Sequence, residues 1–292
     1  MAVELCKVSL WMEAVEPGKP LSFLDHHIVC GNSLLGTTPK LLADGIPEDA
    51  FNALEGDDKK VVSELRKRNR EERKGQQLFD LGSSPAELVR PVTAAVDALE
   101  HLLADSSQAV HEKERLWSQI EHSDALAHAK LLADAWCAAF LIRRERGTPA
   151  LTDGVLRLLS ADSTAGGQAL HDEIAALVST YRFLHPHLAF PGVFRVPLAG
   201  EEPENPDTGW SGGFNVVLGN PPWERVELTE LDFFASRDRG IASAAGAKRK
   251  ARIADLANQD PELWNEWQRA QRVAEGENRF LRSCLLYTSR CV

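Results

Sequence analysis

Residues 214–228 read FNVVLGNPPWERVEL. The first five are mostly apolar and rich in β-formers, so they predict a strand ending before Gly219. Asn220, Pro221, Pro222 and Trp223 follow. Two consecutive prolines remove two backbone donors, fix φ and stop a strand. An amide and an indole are thereby held on a stiff corner at the strand's exit. With residues 214–218 as a core strand, the chain is α/β and the corner forms a pocket at the end of its sheet.

That corner suits one kind of chemistry. Methylating an exocyclic amine is hard because the nitrogen lone pair is delocalised into the ring. Acceptors placed against the amine hydrogens pull the nitrogen toward a tetrahedral, nucleophilic geometry. Asn220 offers its amide oxygen and Pro221 a carbonyl whose direction the ring fixes, and prefixed acceptors need little reorganisation. Trp223 offers a flat face for a base taken out of its helix, and such stacking is worth about 1–3 kcal/mol. The bland reading is a loop after a core strand. Average residue usage puts Asn-Pro-Pro-aromatic in roughly one chain of this length in several hundred by chance.

The totals bound the rest. A chain of 292 residues can bury a real core, and its 43% apolar and 26% charged residues are those of a globular protein. No apolar run reaches the length of a membrane span. Glu4, Glu13 and Glu16 in the N-terminal stretch exclude a signal peptide. Cys6, Cys30, Cys137, Cys284 and Cys291 are scattered without a CxxC pair, which predicts a reducing cytoplasm and no zinc site. The net charge of −10 excludes a wholly basic nucleic-acid glove but leaves room for local patches.

Working outward, residues 2–15 have helical apolar spacing that "EPGKP" ends, and residues 27–30 read as a short strand entering a Gly-Asn-Ser turn. From about Thr38 to Ala189 the texture is helical. Residues 58–74 predict a charged, solvated helix. Ser84, Pro85 and Glu87 open another in a capping-box pattern, with Pro91 set to kink or divide it. The stretch SDALAHAKLLADAWCAAFLIRRERG is the most apolar helix, closed by Gly147, its arginines 143, 144 and 146 capping the end. An amphipathic helix follows at QALHDEIAALVSTYRFL. Strand texture returns at 188–197, and past Trp223 the chain is again helical and charged.

At this point the sequence resembles a known family. VVLGNPPW is similar to the catalytic motif of class I S-adenosylmethionine-dependent, adenine-N6-specific DNA methyltransferases, nearest the large type IIG restriction-modification and phage-defence methylases. Two further stretches, MAVELCKVSLWMEA…PLSFLDHHIVCGNSLLG and YRFLHPHLAFPGVF, resemble the family's cofactor-side segment and the segment before its catalytic strand. The resemblance implies a partial Rossmann-like α/β sheet interrupted by a large helical insertion. The pieces are then 1–37, carrying the cofactor's adenine-pocket strand; 38–187, the insertion; 188–240, with the catalytic motif; and 241–292, helical, with a tail that reads as non-native. Residues 220–223 would receive the target adenine, and Asn32, Ser33 and Leu34 would lie against the adenine of S-adenosylmethionine. The implied partners are double-stranded DNA with a flipped adenine and restriction or defence subunits, with no membrane.

The chain departs from that pattern in lacking any G-x-G loop for the methionine end of the cofactor. The resemblance therefore reads as an internal fragment, inactive alone. Among other candidates, Lys248, Arg249, Lys250 and Arg252 could meet phosphates or form a solvated helix face. Among the histidines, His26-His27 and His185-x-His187, whose spacing could put two imidazoles on one strand face, make a metal pair conceivable, but no carboxylate or cysteine stands at ligand spacing, so they read as polar or core histidines and no metal is expected. Two rivals stay open. One is methylation of a protein glutamine or an RNA base amine; the other is a non-catalytic helical DNA-docking scaffold with a relic motif.

Overall fold

Serine and threonine side chains start many of the helices that dominate this chain. In the computed structural model the described residues are 1–21, 23–76, 85–103, 105–197, 200–219 and 228–288, without the side chains of 76, 85, 86 and 284–288. The Ser123 hydroxyl accepts from the Leu126 amide and opens α6 (Asp124–Leu141). Ser106 does the same for α5 (Ser107–Glu121) through Ala109, and Thr38 for α2 (Pro39–Asp44) through Leu41. Each cap satisfies a donor that the first helical turn cannot.

α6 is the centre. Eleven of its residues are buried, among them Ala133, Trp136, Cys137 and Phe140, so its apolar surface is not confined to one stripe. Around it pack α4 (Pro85–Glu100), α5, α7 (Asp153–Ala161), α8 (Gln168–Tyr181) and a 3-10 turn (Glu48–Phe51), while α3 (Lys59–Gln76) packs on that turn and on α7. The Trp136 indole donates to the Gly45 carbonyl at 3.0 Å, which pins the end of α2 to the core. α6 ends at Leu141, before the expected Gly147, which sits at φ 93° in the turn beyond. Arg144 does return to cap it, donating to the Ala139 carbonyl and to Ala50.

α3 is less solvated than its charge suggested. Asn69 is fully buried, donating to the Ile46 carbonyl and accepting from the Asp153 amide. α4 runs on through Pro91 as one element. Downstream, α10 (Glu230–Ala235), α11 (Arg239–Ala242) and α12 (Gly246–Gln259) pack a second cluster around Phe234. The long α13 (Pro261–Thr288) serves both clusters, through Trp267 in the second and Val273, Phe280 and Leu281 in the first.

The α/β expectation is overturned. Among the described residues helix accounts for 62% and strand for 3%. The sheet among the described residues is one antiparallel pair of two-residue strands, β1 (Phe194–Arg195) and β2 (Ser211–Gly212). Residues 214–218 form no strand and are exposed, with Leu218 at 92%. Residues 25–27 form a turn, and 28–31 make no ladder. The physical reason is that β-propensity expresses a fit to a neighbouring strand, and neither run finds one. The expected strand at 188–197 is replaced by the short helix α9 (Pro186–Ala189), a turn and β1. At the N-terminus, α1 (Ala2–Glu13) forms as expected, yet only Lys7 of it is buried while Leu5, Val8 and Met12 face outward. No helix among the described residues is long and apolar enough to cross a membrane.

Candidate functional site

The proline corner itself, Asn220, Pro221, Pro222 and Trp223, lies outside the described residues, together with 224–227. Its approaches are described. Residues 212–219 are all exposed, Val216 and Val217 at 72% and 80%. On the far side, Leu228 and Thr229 stand on the rim of an open groove of about 990 Å³ between the 3-10 turn and α13. The groove is polar, with Asn52, Glu275, Asn278, Arg279 and Arg282 along it. Arg279 is already engaged, donating to the carbonyls of Asn52 and Ala53 and to Glu275.

The turn at 31–36 has a clear local logic. The Asn32 carboxamide oxygen accepts from the Leu34 amide at 3.1 Å, and the Asn32 carbonyl from Leu35 at 3.0 Å. The Asn32 amide donates to the Arg182 carbonyl at 2.7 Å, and Leu184 donates to Leu35 at 2.9 Å. The segments 31–36 and 182–185 therefore run side by side, joined by a parallel bridge at Asn32 and Phe183. The glycines follow from this closeness: a Cβ on Gly36 would sit 1.9 Å from the Leu184 carbonyl oxygen.

S-adenosylmethionine does not fit the residues assigned to it. The Asn32 carboxamide is folded into its own turn, Ser33 and Leu34 face outward, and none of the three lines the cleft beside them. Among the described residues no glycine-rich strand-to-helix loop stands nearby to let backbone approach a cofactor. No step of a reaction is therefore assigned through that group.

The neighbouring cleft, about 620 Å³, lies among Val29, Cys30, Phe183, Leu184 and α6. At its base Asp134 Oδ1 stands 3.0 Å from His185 Nε2, while His185 Nδ1 accepts from the Thr37 amide at 3.1 Å. That second bond fixes the proton on Nε2, pointing at Asp134. Both ring nitrogens are thus committed, and the pair holds the 31–37 segment against α6 in place of acting as a free base. His187 is buried behind it, and burial, with His185 nearby, pushes its imidazole down to about 3.

The basic run on α12 divides. Arg249 donates to the Ala242 carbonyl at 3.0 Å and Arg252 to the Gly240 carbonyl, so both hold α11 in place. Lys248 and Lys250 remain exposed and available to phosphate. Compared with known families, curated proteins and solved structures, the chain matches no family model, no curated protein and no solved structure.

Two groupings were not visible in the sequence, although His26, His27 and Arg144 were noted there singly or as a pair. Asp57 is a fully buried carboxylate between Arg144 and Arg272, accepting from Arg272 Nη1 at 2.8 Å and from the Arg144 amide at 3.0 Å. Burial lowers Arg144 to about 10, Asp57 opposing. The other is His26, His27 and Glu100, whose ligand atoms lie within 4.8 Å of one another. Sequence spacing concealed both groups, because in each a distant element delivers a member.

Proposed function

We propose that this chain supplies the base-receiving corner of an adenine-N6 DNA methylation system, with Asn220 and Pro221 accepting from the amine and Trp223 stacking on the ring. The observation that carries this reading is the exposure of residues 212–219. The approach to the corner is not packed away, so a partner can reach it. Supporting it, the segments around Asn32 and Phe183 that share the resemblance adjoin each other. Lys248 and Lys250 serve as phosphate contacts. The helical architecture also favours the rival reading of a DNA-docking scaffold whose corner is idle.

One titration separates the two. Duplex DNA carrying a single unpaired adenine is added to the full chain while tryptophan emission is followed, with an unpaired thymine as the control. Base-receiving activity predicts tighter binding and quenching with adenine. Trp223→Ala should remove the quenching and weaken binding by roughly tenfold, in line with about 1–3 kcal/mol per stacked base, and Asn220→Ala should erase the preference for adenine over thymine. Equal binding of both duplexes, unmoved by either substitution, would favour the scaffold.

A further inference from the structure

Adjacent histidines on a loop are usually unrelated, because their side chains diverge. Here they converge. His26 and His27 lie in the turn that follows α1, their ring centroids 3.7 Å apart. The end of α4 brings Glu100 to them. Its Oε1 stands 3.2 Å from His26 Nε2 and 3.7 Å from His27 Nε2. Three donors bound tetrahedrally to one zinc-sized ion at about 2.0–2.1 Å are separated from one another by about 3.3 Å, so both separations need only small adjustments.

The second observation concerns His26. It is 93% buried, its residue exposure being 7%, and neither ring nitrogen makes a hydrogen bond with a described residue. Glu100 Oε1 faces Nε2 at ion-pair distance, and Nδ1 has no partner among the described residues. A buried imidazole with idle nitrogens costs free energy that a hydrogen bond or a metal would offset. Its ring is fixed by Phe23, stacked at 5.2 Å, and by Trp117 at 5.7 Å. His27 and Glu100 are about half exposed, leaving an entry path and room for a water. Lys113 lies near enough to His26 to act on it electrostatically and opposes a cation.

We propose that His26 Nε2, His27 Nε2 and a Glu100 carboxylate oxygen form a binding site for a borderline-soft divalent cation of the zinc class, with water in the open position. Two imidazoles and one carboxylate suit such an ion and leave a hard, oxygen-seeking ion such as magnesium poorly served. The ion would clip the loop after α1 to the end of α4. The site is independent of the proline corner.

The test uses the full chain stripped with chelator. Zinc binding is followed by calorimetry, and cobalt(II) is added separately for its visible d–d absorption. The expectation is one equivalent bound at micromolar concentration and a thermal midpoint that rises with zinc. His27→Ala and Glu100→Gln change surface-accessible groups, so both should fold with an unchanged circular dichroism spectrum. Each should lose at least about tenfold in affinity, since even outer-shell losses cost about 10–100-fold. His111→Ala, which removes a histidine paired with Glu114 elsewhere, should bind as the native chain does. No binding at millimolar zinc, native affinity in both ligand variants, or loss of the site in His111→Ala would each overturn the proposal.

Discussion

His187 shows how one residue can set the acid limit of this protein. Its imidazole is fully buried, and burial followed by the neighbouring His185 pushes it down to about 3 from an ordinary 6.5, the Thr37 backbone opposing. The unfolded chain therefore takes up a proton below about pH 6.5 that the folded chain refuses until near pH 3. Stability is complete above that range and falls as pH drops through it, by up to about 1.4 kcal/mol per pH unit. Asp153 acts the other way at the acid end, because burial holds its carboxyl above its ordinary range. Urea unfolding measured from pH 7 to 4 should show the decline, and His187→Leu should reduce it, leaving the share of His26, whose buried imidazole is likewise pushed down to about 4. A slope identical in the two proteins would mean that His187 is not the titrating group.

Between elements, the contact that organises the N-terminal part is the approach of residues 31–36 to 182–185. It is a backbone contact, and glycine is what permits it. Gly36→Ala would place a methyl 1.9 Å from the Leu184 carbonyl oxygen, and backbone cannot step aside as a flexible side chain can. The bonds from Leu184 to Leu35 and from Thr37 to His185 would have to loosen together. We expect a loss of about 2–3 kcal/mol, at the upper end of overpacking costs, read from chemical denaturation. A change of less than about 0.5 kcal/mol, ordinary for surface substitutions, would show that the segments are not held this closely. The same contact explains why GNSLLG has glycine at both ends without requiring a nucleotide beside it. The sequence offered a cofactor turn or a plain turn at this position. Choosing between them required the position of residues 182–185, which no local pattern contains.

For the whole molecule, α13 decides whether the two apolar clusters act together, and Arg272 is its clamp. One guanidinium donates to Asp57 and to the carbonyls of Glu55, Leu141 and Ile142. Arg272→Ala leaves a fully buried carboxylate with Arg144 as its remaining cation, and breaking one member of a buried pair costs about 3–5 kcal/mol. Thermal unfolding should drop accordingly, and a single transition should split if the clamp is what couples α13 to α6. An unchanged midpoint would show that apolar packing by Phe280 and Val273 suffices. The sequence by itself determined the helices: their apolar spacing, their serine and threonine caps and the all-round apolar character of α6 are local properties, expressed whatever surrounds them. It also determined the stiffness of the 220–223 corner, since proline restricts the chain in any fold. Tertiary structure alone decided that residues 27–30 and 214–218 are not strands, because a strand exists only beside a partner and β-propensity cannot supply one. It alone gathered His26, His27 and Glu100, and Asp57, Arg144 and Arg272, since side chains distant in sequence meet only where packed helices carry them.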